Sequence, residues 1–348
     1  MGGSFALLVL AIFTPGEVRP QAPYAPFSCY EAWSHPDANA RVKDHTLFAY
    51  QDAFYLVTMV ETTQAEPQEE RGSETLACAR TEDFCTWDYL GVALRTGEEG
   101  TADEMALWAP YVVQEGETSY LFYTGVNRHF AQSIMLATST TPDDPRSWSR
   151  QGVVFRPHHE GMIYAGAESW SDARDPMVLP YEGRYYLYYT GRDIAGGIVG
   201  VAMAESLEGP WRDLGAVLRT SHEVMPESPF VVEAHGFFYL FYNAAHIGEQ
   251  WVWGPSPFGP WQPPPTDEGP GWAYDFLFTG VTWLASFVMG DGRHIGFAPV
   301  FWDTSHDPPR PFARQNVEAS RKVFLPMMVK DLPPSPYAPY APYAPYPP

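Results

Sequence analysis

Cysteine, positive charge and long apolar runs are all scarce in this sequence. Only three cysteines occur in 348 residues, Cys29, Cys78 and Cys85. That is too few for a disulfide scaffold, and no Cys/His spacing suits a zinc site. Cys78 and Cys85 lie close enough in sequence to bridge one hairpin and leave Cys29 free; buried free thiols are the equal alternative. Lys and Arg number 21 against 42 Asp and Glu, a net charge of −21. Such a surface repels phosphate backbones and anionic lipid, which argues against nucleic acid and membrane-surface partners. The apolar run Ala6–Phe13 is too short to span a bilayer; it suits the hydrophobic part of a signal peptide cleaved near Ala22. No later run is apolar enough for membrane insertion, and nothing in the sequence requires a cofactor.

Proline (35), glycine (29) and aromatics (16%) are abundant, which suits many tight turns between aromatic strands and leaves no useful helical periodicity. One aromatic strand recurs: Phe54–Val57, Ser119–Tyr123, Arg184–Tyr189 and Phe237–Tyr242, with a weaker copy at Thr282–Met289. Tyr55, Tyr120, Tyr186 and Tyr239 anchor the four clear copies at steps of roughly 50–65 residues, a spacing that marks a structural repeat. These strands are apolar on both alternating faces, so each is buried on two sides. A strand precedes each one (Asp44–Phe48, Trp108–Val113, Arg174–Leu179, Glu227–Val232), and a small-residue strand, a turn and Trp87, Trp148, Trp211 or Trp261 follow. About four strands per unit and five units predict an all-β fold, a five-bladed β-propeller of four-stranded blades. The expected organisation is a signal peptide at 1–22, the propeller at 23–310, and a last strand with a Pro/Tyr/Ala-rich tail at 311–348.

Counted from the anchoring tyrosines, Pro110, Pro176 and Pro229 lie ten residues upstream, and His45 takes that place in the first unit. Asp44 and Asp175 share the preceding position. Glu227 lies one place earlier still, level with Arg174 and Trp108. First strands of blades surround the central channel, so these three carboxylates are expected at one end of it. The offset of Glu227 matters, because one step along a regular strand reverses the side chain. A cluster of this kind suits hydrolysis of a glycosidic bond. One carboxyl must be protonated to donate to the leaving oxygen, another ionised to attack or to activate water, and close carboxylates push each other's proton affinities apart. His294 is read as structural; His158, His159 and His246 sit in loops and carry no argument.

The motifs Trp108-Ala109-Pro110, Ala173-Arg174-Asp175-Pro176 and Glu227-Ser228-Pro229-Phe230 occur in order, each before a Tyr-rich strand. In this the chain resembles the five-bladed propeller glycoside hydrolases over roughly residues 43–302: the family 43 arabinanases and xylosidases and the related family 32 and 68 fructosidases. The resemblance implies that Glu227 is the general acid. Asp44 would be the general base of a family 43-like enzyme or the nucleophile of a fructosidase-like one. Asp175 would tune the acid or stabilise the transition state, with Arg174 near a substrate hydroxyl. From its position Trp108 is either a platform on which a sugar stacks or blade filler, and His45 is expected as a further substrate contact. His45-Thr46 after Asp44 departs from both family patterns, and there is no room for the C-terminal β-sandwich typical of family 32. The expectation is therefore a secreted glycosidase on a polysaccharide or oligosaccharide, arabinofuranoside- or xyloside-type in preference to a retaining fructan enzyme. A non-catalytic carbohydrate-binding propeller and a protein-interaction propeller are the other readings.

Overall fold

Twenty strands and a single 3₁₀ turn at Pro145–Ser147 make up the regular structure, with no α-helix among the described residues. The structure is a computed structural model and describes residues 27, 29–62, 74–244, 247–263, 272–279 and 282–313. The expected signal peptide, His246 and nearly all of the expected tail lie outside them.

The strands form five antiparallel sheets. Blade one runs β2 (Arg41–Tyr50), β3 (Ala53–Glu61), β4 (Glu74–Thr81) and β5 (Asp88–Leu94). Blade two runs β6 (Ala106–Glu115), β7 (Thr118–Val126), β8 (Gln132–Ser139) and β9 (Ser149–Phe155). Blade three runs β10 (Arg174–Tyr181), β11 (Arg184–Asp193), β12 (Gly196–Ala204) and β13 (Arg212–Arg219). Blade four has β14 (Pro226–Ala234), β15 (Phe237–Ala244) and β16 (Gly248–Gly254). Among the described residues, one bridge, Trp253 with Gln262, marks the place of its fourth strand. Pro260 and Pro263 flank that bridge and lack the N–H groups a longer ladder needs. Blade five has β17 (Trp272–Phe278), β18 (Trp283–Val288) and β19 (His294–Asp303). Its outer edge is shared by β1 (Trp33–Ser34) and β20 (Arg310–Ala313), so the start and the end of the described chain meet on one strand.

The core lies between blades, as two-sided burial requires. Leu76, Cys78 and Met59 of blade one pack against Leu121, Tyr123 and Met135 of blade two. Tyr189, Ile198 and Trp211 of blade three pack against Phe122 and Leu136 of blade two. Each repeat tryptophan fills such a seam; Trp211 meets Phe122 edge-on at 5.9 Å and Trp87 stacks on Phe297 at 4.8 Å. Inner strands turn back in two residues. Glu182-Gly183 and His235-Gly236 both take positive φ, the primed turn that matches strand twist.

The cysteine expectation needs correction. Cys85 pairs with Cys29, Cα atoms 5.3 Å apart, and Cys78 is the free thiol. Cys78 faces the seam between blades one and two, where burial pushes its thiol up to about 12. Cys85 lies in the β4–β5 turn, where the N-terminal segment passes on its way to blade five; Glu31 donates its backbone N–H to the Phe84 carbonyl there, at 2.8 Å.

Candidate active site

Every innermost strand slips register at the same place, between Val42 and His45, Trp108 and Tyr111, Arg174 and Met177, Glu227 and Phe230, and Trp272 and Asp275. These bulges put Ala109, Asp175, Ser228 and Ala273 at φ of 44°, 57°, 50° and 52°, left-handed backbone that costs a side-chain-bearing residue about 1–3 kcal/mol. A bulge re-aims side chains, and this removes the offset between Glu227 and the two aspartates. Glu227 pairs with Asn243 before the slip, while Asp175 and Ser228 lie within it.

The bulges of all five blades close on a cavity of about 30 Å³ at the axis, lined among others by Asp44, His45, Asp175, Ser228 and Asp275. That volume holds one or two waters, so a sugar has to sit above it, at the carboxylates. There Arg174 links blades three and four. Its Nη2 donates to Glu227 Oε1 at 2.9 Å, and its Nε lies 3.7 Å from Asp175 Oδ2. Ser228 links three blades: its Oγ donates to Asp44 Oδ1 at 2.7 Å and its N–H to Asp175 Oδ2 at 3.0 Å. Thr190 Oγ1 adds a third contact to Asp175, at 3.0 Å. Asp44, Asp175 and Glu227 are thus gathered in one cluster by Arg174 and Ser228, and Glu227, with a side chain 36% exposed, reaches solvent.

The cluster favours protons. Desolvation raises Asp44 and the Glu227 charge adds to it, with Ser228 opposing. Asp175 is pushed up to about 7, by burial first and then by Asp44, while the Arg174 guanidinium opposes. At neutral pH the buried aspartates therefore do not all carry charge, as a site with one acid and one base requires.

His45 lies in the channel wall, its Nε2 2.8 Å from Ser286 Oγ and its Nδ1 without a partner. Burial brings it down to about 3, so the ring is neutral. Trp108, partly buried, packs on the seam between blades one and two, with its indole towards Glu74. His294 is at the surface, Nδ1 2.5 Å from Asp291 Oδ2, away from the channel. The backbone N–H groups of His158 and His159 tie their loop to Asp213 on β13.

Four residues of the site region are additions to the sequence reading. Asp172 accepts from Arg174 Nη1 at 2.6 Å; its place two residues before Arg174 was a signal, since i and i+2 of an extended chain face alike. Ser228 shares the register position of Asp175, a signal the motif carried. Asp275, at the waist between the axial cavity and a wider one of about 280 Å³ beyond it, accepts from Leu47 N at 2.6 Å and is pushed up to about 7 by burial. Glu249 lies beside Asn243, in the cross-strand row that begins with Glu227. It is buried, neither oxygen makes a hydrogen bond of normal geometry, and burial raises it well above a carboxylate's ordinary range, with the Ala273 backbone opposing and Asp44 adding. Nothing local in the sequence marks Asp275 or Glu249, because their neighbours come from other blades.

Residues 63–253 match the family model described as the glycosyl hydrolases family 32 N-terminal domain. The chain is 24% identical over 164 residues to arabinan endo-1,5-alpha-L-arabinosidase C of Emericella nidulans, covering 47% of this chain and 49% of the relative. It is 28% identical over 151 residues to the extracellular endo-alpha-(1->5)-L-arabinanase 2 of Bacillus subtilis, covering 39% of this chain and 31% of the relative. The chain thus spans about half the length of the first and under a third of the second. Among solved structures it is similar to fructan 1-exohydrolase IIa from Cichorium intybus, with a TM-score of 0.64 and 15% identity over 83% of this chain and 61% of that one, a likeness of fold.

Proposed function

The chain belongs to the family of the glycosyl hydrolases family 32 N-terminal domain, and on that premise we propose that it hydrolyses glycosidic bonds of a neutral polysaccharide or oligosaccharide, arabinofuranoside or xyloside in type. The observation that carries this reading is the meeting of three carboxyl groups from three blades around Arg174 and Ser228. Glu227, reaching solvent from the Arg174 clamp, protonates the leaving oxygen. Asp44, held on one oxygen by Ser228, acts in its ionised form and draws a proton from the water that attacks the anomeric carbon, giving inversion. Asp175 shares the buried charge with Asp44 and restrains both. Arg174 lies near a substrate hydroxyl, while the partly buried Trp108 and the buried His45 ring back the channel wall behind the sugar.

The family 32 match favours a second reading, in which Asp44 attacks the sugar directly and a fructan-type substrate is cleaved with retention. The anomeric form of the first product, read by proton NMR, separates the two.

Export is part of the proposal. It is supported by the apolar run Ala6–Phe13, the Cys29–Cys85 disulfide, which persists in oxidising compartments, and the extracellular relative. No helix of the described residues is long and apolar enough to cross a membrane.

Screening aryl arabinofuranosides, aryl xylosides and fructans with the wild type and Glu227→Gln tests the reading. Cleavage of one class, abolished in the variant, is expected. Cleavage of none, or equal cleavage by both proteins, would overturn it.

A further inference from the structure

Arg174 is surrounded by more negative charge than the reaction uses. Glu227 and Asp175 take one side of its guanidinium, and Asp172 takes the other at the shortest distance of the three, 2.6 Å from Nη1. Asp172 touches neither the axial cavity nor Asp44. It is buried, and besides Arg174 it accepts from Arg192 Nε at 3.4 Å and from the Trp170 indole N–H at 3.3 Å. Gln132 Oε1, 3.3 Å from Arg174 Nη1, is the neutral acceptor on the same edge. The charged and titratable groups around the Arg174–Glu227 pair are therefore Asp172 from the loop before β10, Asp175 from β10, Asp44 from β2, Glu249 from β16 in the cross-strand row of Glu227, and Arg192 from β11 through Asp172.

A guanidinium bonded to one carboxylate presents less net charge to a second. Had Arg174 only Glu227 to pair with, it would hold that carboxylate ionised, and an ionised Glu227 has no proton to donate. We propose that Asp172 is a positioning residue that acts through Arg174: it holds one edge of the guanidinium and offsets its charge, so that Arg174 orients Glu227 while presenting it a reduced positive charge. The catalytic meaning of this rests on Glu227 as the acid of the proposed reaction; the electrostatic coupling does not.

The test is built to separate those two. In protein carrying ¹³C-carboxyl glutamate, the Glu227 signal is identified by its loss in Glu227→Gln, and its titration midpoint is followed by NMR. Asp172→Asn keeps shape and removes charge; the midpoint is expected to fall by about one pH unit, the scale of one nearby charge. Asp172→Glu is expected to restore it. Arg192→Gln, which removes the second cation from Asp172 at a partly exposed position, is expected to move the midpoint the other way by a smaller amount, and it keeps the test alive if Asp172→Asn fails to fold. On a cleaved aryl glycoside, the alkaline limb of kcat/KM moves with the midpoint in each variant. A midpoint unmoved in both Asp172→Asn and Arg192→Gln, or an equal loss of activity at every pH, overturns the proposal. Midpoints that move in a protein that cleaves no glycoside leave the coupling standing and sink the hydrolase reading instead.

Discussion

Asp213, whose buried side chain lies on an outer strand, and the buried carboxylates at the axis behave in opposite ways. Asp213 on β13 accepts from the backbone N–H of His158, His159 and Gly215 and from the Tyr189 hydroxyl. Although burial works against it, these donors hold it below the ordinary carboxylate range. At the axis, Asp44, Asp175, Asp275 and Glu249 are all raised, each by burial first; a neighbouring carboxylate's charge adds to this at Asp44, Asp175 and Glu249, whereas at Asp275 burial alone raises it. At Asp213 hydrogen-bond donors outweigh burial, and at the axis burial outweighs the donors.

The largest effect expected from this contrast is on catalysis. Asp44→Asn keeps the Ser228 contact in shape but removes the base or nucleophile, and kcat/KM on a cleaved aryl glycoside is expected to fall about 10³-fold with little change in melting temperature. A loss of stability matching the loss of activity would place Asp44 with Asp213 as a structural group.

Next comes the pH dependence of stability at the axis. Asp275 is at about 7 in the folded protein against an ordinary 3.8. A carboxyl raised on folding contributes stability that is fully present below its unfolded value and is lost as pH rises through the folded one. Asp275→Asn, which keeps the carbonyl acceptor for Leu47 N, should therefore flatten the fall in unfolding free energy between about pH 4 and 7, by a few kcal/mol. Chemical denaturation of both proteins across that range measures it; parallel curves would remove Asp275 from the axial class.

The smaller structural effect has the opposite slope. Asp213→Ala leaves several buried donors without an acceptor and is expected to cost about 3 kcal/mol at neutral pH. Because Asp213 is depressed on folding, its contribution is present above the ordinary carboxylate value and is lost on acidification, so wild type and variant should converge as pH falls. A difference that grows towards acid pH would break the comparison.

Much of this was legible in the sequence because it repeats. Aromatic strands with both faces apolar announced blades packed against blades, and counting from Tyr55, Tyr120, Tyr186 and Tyr239 placed Asp44 and Asp175 at one level of the channel. Glu227 looked out of step because alternation assumes a regular strand, whereas each inner strand carries a bulge where the channel opens. The reading failed where a contact crosses blades or joins distant segments. Cys29 meets Cys85 because the chain passes blade one before closing blade five, and Asp275 and Glu249 become axial acids only once the sheets are assembled.

The central claim is that Glu227 delivers a proton to the departing oxygen. It is tested most directly by measuring kcat/KM of the wild type and Glu227→Gln on aryl glycosides of one sugar whose leaving phenols range from basic to strongly acidic. A loss of about 10³-fold is expected for the basic phenol, which needs the proton, shrinking to about 10-fold or less for the acidic one, which does not. A loss of the same size across the whole series would contradict it.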